Sequence, residues 1–113
     1  MKPYRREKVE SLLQHELSTL IAREVEFPLG TLVTISSVEV APDIEEAKVN
    51  ISVIPKSSEE RVMMVLTKLR GHIQKLLVRK INIKPTPHIR FEIDLGPENA
   101  ALVDRLLRES EGS

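Results

Sequence analysis

Residues 32–54 read Leu32-Val33-Thr34-Ile35-Ser36-Ser37-Val38-Glu39-Val40, then Ala41-Pro42-Asp43-Ile44-Glu45-Glu46, then Ala47-Lys48-Val49-Asn50-Ile51-Ser52-Val53-Ile54. The second run alternates cleanly. Val49, Ile51 and Val53 face one way and Lys48, Asn50 and Ser52 the other, the period of a half-buried strand. The first run is rich in β-branched residues, but its phase slips. Val33 and Ile35 share one parity, while Val38 and Val40 share the other. One extra residue at Ser36-Ser37, taken up as a β-bulge, would return all four to one face. Ala41-Pro42-Asp43 supplies the turn, so the two runs are predicted to pair as an antiparallel hairpin. Pro55 closes the second strand.

Upstream, Val9, Leu12, Leu13, Leu17, Leu20 and Ile21 follow the three-and-four spacing of an amphipathic helix over Arg5 to Glu24. Phe27, Pro28 and Gly30 end it. Downstream, Ser57 or Ser58 can cap a helix whose first turn carries Glu59 and Glu60. Its apolar positions are Val62, Val65, Leu66, Leu69, Ile73, Leu76 and Leu77. Gly71 falls in the middle, where it predicts a kink between two half-helices. Pro85 and Pro87 precede a third strand, His88 to Asp94, with Ile89, Phe91 and Ile93 alternating against Arg90 and Glu92. Gly96 and Pro97 lead into a short C-terminal helix with Leu102, Val103, Leu106 and Leu107 as its stripe; residues 110–113 are expected to fray. The predicted fold is α+β: a three-stranded sheet covered on one face by an N-terminal helix and a kinked long helix.

With 113 residues the chain is expected to form a single domain, residues 1–113, and its 41% hydrophobic content excludes disorder over most of the length. There is no Cys, which removes disulfides, thiolate nucleophiles and cysteine zinc sites. The longest apolar run, Val62 to Leu66, is far short of the ~18 residues a membrane span needs. The first residues, Met1-Lys2-Pro3-Tyr4-Arg5-Arg6, lead into charge. A cytoplasmic protein without membrane partners is therefore expected.

No catalytic constellation is visible. His15, His72 and His88 are far apart in sequence, no serine sits in a nucleophile elbow, and the four glycines never cluster into a phosphate-cradling loop. Asp43, Glu45 and Glu46 read as a solvated acidic turn. The chain is expected to be no enzyme, with no cofactor, metal or small-molecule substrate.

Charge is more informative. The net charge is zero, yet Arg61 to Phe91 contains no acid at all. That window holds Arg61, Lys68, Arg70, Lys75, Arg79, Lys80, Lys84 and Arg90. On a regular helix Arg61, Lys68, Lys75 and Arg79 fall within about 40° of one another. They read as a row flanking the apolar stripe, able to track a phosphate backbone. With one Tyr and two Phe, base stacking is poorly provided for, so structured RNA read by shape fits best.

The order of elements is similar to a type II KH domain, without its G-x-x-G loop. More specifically, the chain resembles the ribosome-binding factor A family over Arg5 to about Leu107. Arg5, Lys8 and Val9 fit that family's opening R-x-x-R-V, with Lys for the second Arg. Glu16-Leu17-Ser18-Thr19-Leu20-Ile21 and Arg23-Glu24-Val25 resemble its first helix. Val33-Thr34-Ile35, Val38-Glu39-Val40, Pro42-Asp43-Ile44 and Ala47-Lys48-Val49 follow its pattern V-T-I-x-x-V-x-V-x-x-D-L-x-x-A-K-V; Pro87, Phe91 and Asp94 resemble its P-x-L-x-F-x-x-D. Where the family has A-x-G in the long helix, this chain has Leu69-Arg70-Gly71. The resemblance implies binding to the free small (30S) ribosomal subunit in late maturation, promoting processing of the 16S rRNA precursor near its 5′ end. It implies an rRNA face made of Arg5, Arg6, Lys8, Arg61, Lys68, Arg70, Lys75, Arg79, Lys80 and Lys84, on a chain expected to be monomeric. The other readings are a general structured-RNA module and a protein-interaction domain.

Overall fold

Leu32–Val40 (β1) and Glu46–Ile54 (β2) pair antiparallel, as their patterns require. The structure is a computed structural model that describes residues 3–95. Ile35 sits opposite Ile51 and Ser37 opposite Asn50, so Ser36 is the extra residue of a bulge. Its hydroxyl donates to the Asn50 carbonyl at 3.2 Å. The bulge does what the phase slip demands: Val38 and Val40 are buried, and Val33 and Ile35 pack against the same core. In the hairpin turn the Asp43 carboxylate accepts the Glu45 N–H at 3.1 Å, and the Ile44 N–H donates to the Ala41 carbonyl at 2.8 Å. Ile44 has φ 59°, a left-handed conformation rare for a β-branched side chain, and its side chain packs against the core.

Pro3–Glu24 (α1) is a helix of 22 residues. It buries Val9, Leu13, Leu17, Leu20 and Ile21, while Leu12 stays 38% exposed. Pro28 to Thr31 makes the return turn, closed by the Thr31 N–H on the Pro28 carbonyl at 3.2 Å. Gly30 holds φ 79° there, which glycine reaches at no steric cost.

After a 3-10 turn at Lys56–Ser58, Glu59–Lys80 (α2) forms one uninterrupted α-helix. Two expectations fail here. Ser58 occupies the N-cap without bonding the helix, since its backbone is already helical and its hydroxyl meets that of Thr31 at 3.4 Å. Gly71 separates no half-helices, and its φ lies outside the left-handed region. The physical reason is the buried stripe: Val62, Leu66, Ile73 and Leu77, all fully buried, keep one helical phase on both sides of Gly71. The glycine thus remains a cost of roughly 0.5–1 kcal/mol relative to Ala with no backbone turn to justify it.

His88–Ile93 (β3) adds to β2 in parallel, giving the sheet order β1-β2-β3. Parallel neighbours need a crossover, and α2 supplies it. α1 packs on β1, α2 on β3, and the helices touch each other, so both lie on one face. A single apolar cluster joins them, running from Leu13 and Leu17 through Val49 and Ile51 to Leu66, Ile73 and Phe91. Emptying such a site, for example Leu66→Ala, costs about 2–5 kcal/mol. The expected C-terminal helix with Leu102, Val103, Leu106 and Leu107 lies outside the described residues.

Candidate nucleic-acid interface

Three polar surfaces result from this packing, and they differ in how far their charges are already satisfied. The first is the sheet face without helices. Outward positions of three strands form a ladder there: the Lys48 ammonium lies 2.9 Å from Glu39 and 3.7 Å from Glu92, and Arg90 lies 3.9 Å from Glu92. Asn50 donates to the Ser37 hydroxyl at 2.8 Å and to Glu39 at 3.1 Å. The hydrogen bond from Lys48, then that from Asn50, holds the Glu39 carboxyl below its ordinary value, and the same bond raises the Lys48 ammonium. The two cations of the ladder are met by its two acids, Glu46 and Asp94 add further negative charge to the same face, and among the described residues no aromatic ring projects from it. It is a poor platform for a polyanion.

The second surface is the flank of α1 that meets β1. Residues along this strand alternately turn their backbone groups outward. Arg6 donates from Nε and Nη2 to the Val40 carbonyl, at 3.2 and 2.8 Å. One turn on, the Glu10 carboxylate accepts the Val40 N–H at 2.7 Å, and Gln14 donates to the Ile35 carbonyl at 3.2 Å. Side chains four apart thus stand in for a fourth strand. Arg6, one of the residues expected to face RNA, spends two of its guanidinium donors on the sheet edge. Gln74 of α2 does the same at the opposite edge, donating to the Pro87 carbonyl at 3.0 Å and accepting the Ile89 N–H at 2.8 Å. Neither Glu10 nor either glutamine stood out in the sequence, although the four-residue spacing of Arg6, Glu10 and Gln14 was a visible signal.

The third surface is the outer side of α2. Arg61, Lys68, Lys75 and Arg79 are exposed and have no ion pair among the described residues. The row was expected to flank the apolar stripe. It lies farther round, about 140° from the fully buried positions, because Val65, Leu69 and Leu76 are only half-buried. His72, next to the row, faces Glu24 of α1 at 3.9 Å. Arg70 does not join the row: it is exposed about half a turn away, on the side of Gln74 and β3. Lys80 ends the helix, and Lys84 is exposed in the segment that follows. Because Val40 is held by the first turns of α1 and Glu46 pairs with His88, Arg5 and that segment reach the same end of the sheet. Arg5 and Lys8 are exposed on α1.

Chemically, then, among the described residues α2 and the cations at its end present uncompensated positive potential over a long ridge. Among the described residues no three His, Asp or Glu are placed to hold a metal ion, and no helix is long and apolar enough to cross a membrane.

Comparison with known proteins gives the family and the fold. A family model described as "Ribosome-binding factor A" matches residues 5–107. A ribosome-binding factor A of Akkermansia muciniphila is 35% identical over 105 residues, 93% of this chain and 83% of that protein. A solution structure of a Thermotoga maritima ribosome binding factor A superposes with TM-score 0.68 at 26% identity, over 85% of this chain and 93% of that one. The fold also matches a homology model of Thermus thermophilus ribosome binding factor A as fitted into the cryo-EM map of a 30S complex of that factor (TM-score 0.67, 21% identity, 77% of this chain and 92% of that one). A match over nearly the whole described fold, at this level of identity, decides the matter: the chain belongs to the ribosome-binding factor A family.

Proposed function

We propose that this protein binds the free 30S subunit through the outer side of α2, with Arg61, Lys68, Lys75 and Arg79 on rRNA phosphates. Arg5, Lys8, Lys80 and Lys84 extend the contact from one end, and Arg70 adds to it from the β3 side. The bound factor promotes late maturation, including processing of the 16S rRNA precursor near its 5′ end, by shaping rRNA and not by catalysis. It works as one cytoplasmic, monomeric RNA-binding unit spanning residues 1–113. The observation that carries this reading is the uncompensated basic ridge on a fold whose Thermus thermophilus relative has been fitted into a 30S complex. The open sheet face, where acids outnumber Lys48 and Arg90, supports it by offering no competing site among the described residues.

Sedimentation with purified subunits tests the proposal. The protein should pellet with 30S and not with 50S subunits, and the affinity should fall steeply with salt as condensed counterions are released on binding. Cells depleted of the protein should accumulate 16S precursor extended at the 5′ end. Equal recovery on both subunits overturns the assignment. Binding that ignores salt and survives RNA digestion favours a protein-interaction domain.

A further inference from the structure

The row that α1 lays along the edge of β1 continues past Gln14, and there its chemistry changes. Arg6 and Glu10 reach Val40 and Gln14 reaches Ile35, but the next two positions at four-residue spacing are Ser18 and Ala22. Helix and strand run antiparallel here. Four helical residues advance about 6 Å, close to the roughly 6.6 Å of two strand residues. Ser18 therefore comes level with Val33, and Ala22 with Thr31. Neither side chain is long enough to do what Gln14 does. Val33, two residues before Ile35, turns its N–H and carbonyl outward in the same way, and no side chain among the described residues bonds them.

The short residues leave a slot of about 410 Å³ between α1 and the start of β1. Ile21, Val25 and Phe27 line it from one side, Val33 and Ile35 from the other. Leu32, 57% exposed, stands at its mouth. No charged side chain lines the slot, so it has nothing to give a phosphate, and RNA is the wrong occupant. A half-buried backbone donor and acceptor call for hydrogen-bonding partners, and an apolar lining calls for uncharged side chains. Farther along the same edge, side chains of α1 already substitute for a strand. An extended peptide meets both demands at once. Gln14 closes the edge at Ile35, so only a short segment fits.

We propose that residues 32–35 are a docking edge for a short, uncharged, extended segment of a partner protein, which adds to β1 as a fourth strand and lays apolar side chains into the slot beside Ser18 and Ala22. On the 30S subunit the partner is one of the subunit's proteins. That identification rests on the functional reading above; the slot itself does not.

Ser18→Gln tests the slot. It prolongs the row, so its amide should take up the Val33 groups and bar a peptide, and the denaturation midpoint should rise. In NMR titrations of the full chain with the blocked tetrapeptide acetyl-Ala-Val-Ala-Val-amide, the amides of Ser18, Ala22 and Val33 should shift and saturate. In Ser18→Gln these shifts should be lost. No shift at Val33 in the wild-type chain, or an undiminished shift in the variant, overturns the slot. A single thiol reads the partner: Thr34→Cys, in a chain with no other Cys, carries a benzophenone into the 30S complex. The crosslink should fall on a subunit protein. A crosslink to 16S rRNA, or none, overturns the protein partner. Failure of the wild-type protein to bind 30S subunits instead overturns the functional reading, and the tetrapeptide titration still decides the slot.

Discussion

α1 and α2 both carry a row of charged or polar side chains at helical spacing, and the two rows have opposite fates. Arg6, Glu10 and Gln14 on α1 lie against the outward backbone of β1 and are consumed by it. Arg61, Lys68, Lys75 and Arg79 on α2 lie away from the sheet and meet no acid among the described residues. The lesson is that a cation's role follows from the acceptors its element brings within reach. Where a strand edge offers carbonyls, the guanidinium belongs to the fold. Where only solvent faces the row, its potential is available to a partner.

The sharpest way to break this contrast is to invert the α2 row. Lys68→Glu, Lys75→Glu and Arg79→Glu together should weaken 30S binding by about 100-fold or more, because phosphate contacts are lost and like charges introduced. The denaturation midpoint should hardly move, since exposed charges contribute little to stability. Normal binding by the triple variant would move the RNA face to Arg5, Lys8 and the end of α2.

The α1 row should behave in reverse. Arg6→Ala removes two charge-assisted hydrogen bonds from the Val40 carbonyl and should cost about 1–3 kcal/mol in urea unfolding. Subunit affinity, measured below the transition, should stay as in the wild-type protein. A variant that folds normally but binds weakly would erase the distinction between the helices.

The smallest effect sharpens the first surface, the open face of the sheet. Glu39 protonates less readily in the folded chain than in the unfolded one, because Lys48 and Asn50 hydrogen-bond its charged form. Its stabilising contribution is therefore present above the ordinary value of 4.5 and is lost as pH falls below it. Glu39 is 59% exposed at its side chain, so screening keeps the contribution small. The midpoint difference between wild type and Glu39→Gln, visible at neutral pH, should close as the solution is acidified below 4.5. A difference that persists unchanged in acid would mean the ladder does not neutralise the face through this carboxylate.

Much of the molecule was legible because its signals are local. The parity slip around Ser36-Ser37 located the bulge, since side chains alternate strictly and one residue must be absorbed to keep Val33, Ile35, Val38 and Val40 on the core. The spacing of Leu13, Leu17 and Leu20 located α1 in the same way. The acid-free window from Arg61 to Phe91 pointed to α2 as the charged ridge, because after Glu60 the helix carries no further acid that could pair with it. Tertiary structure alone decided the remainder. That β3 lies parallel to β2 depends on where α2 delivers the chain. That Arg6 serves the sheet depends on a carbonyl 34 residues away. That Gly71 sits in a continuous helix depends on Leu66 and Ile73 reaching one core together. Each is a question of which distant atoms come within contact. Periodicity tells which face of an element is apolar, whereas only the packed fold tells what that face, and the polar rows beside it, will meet.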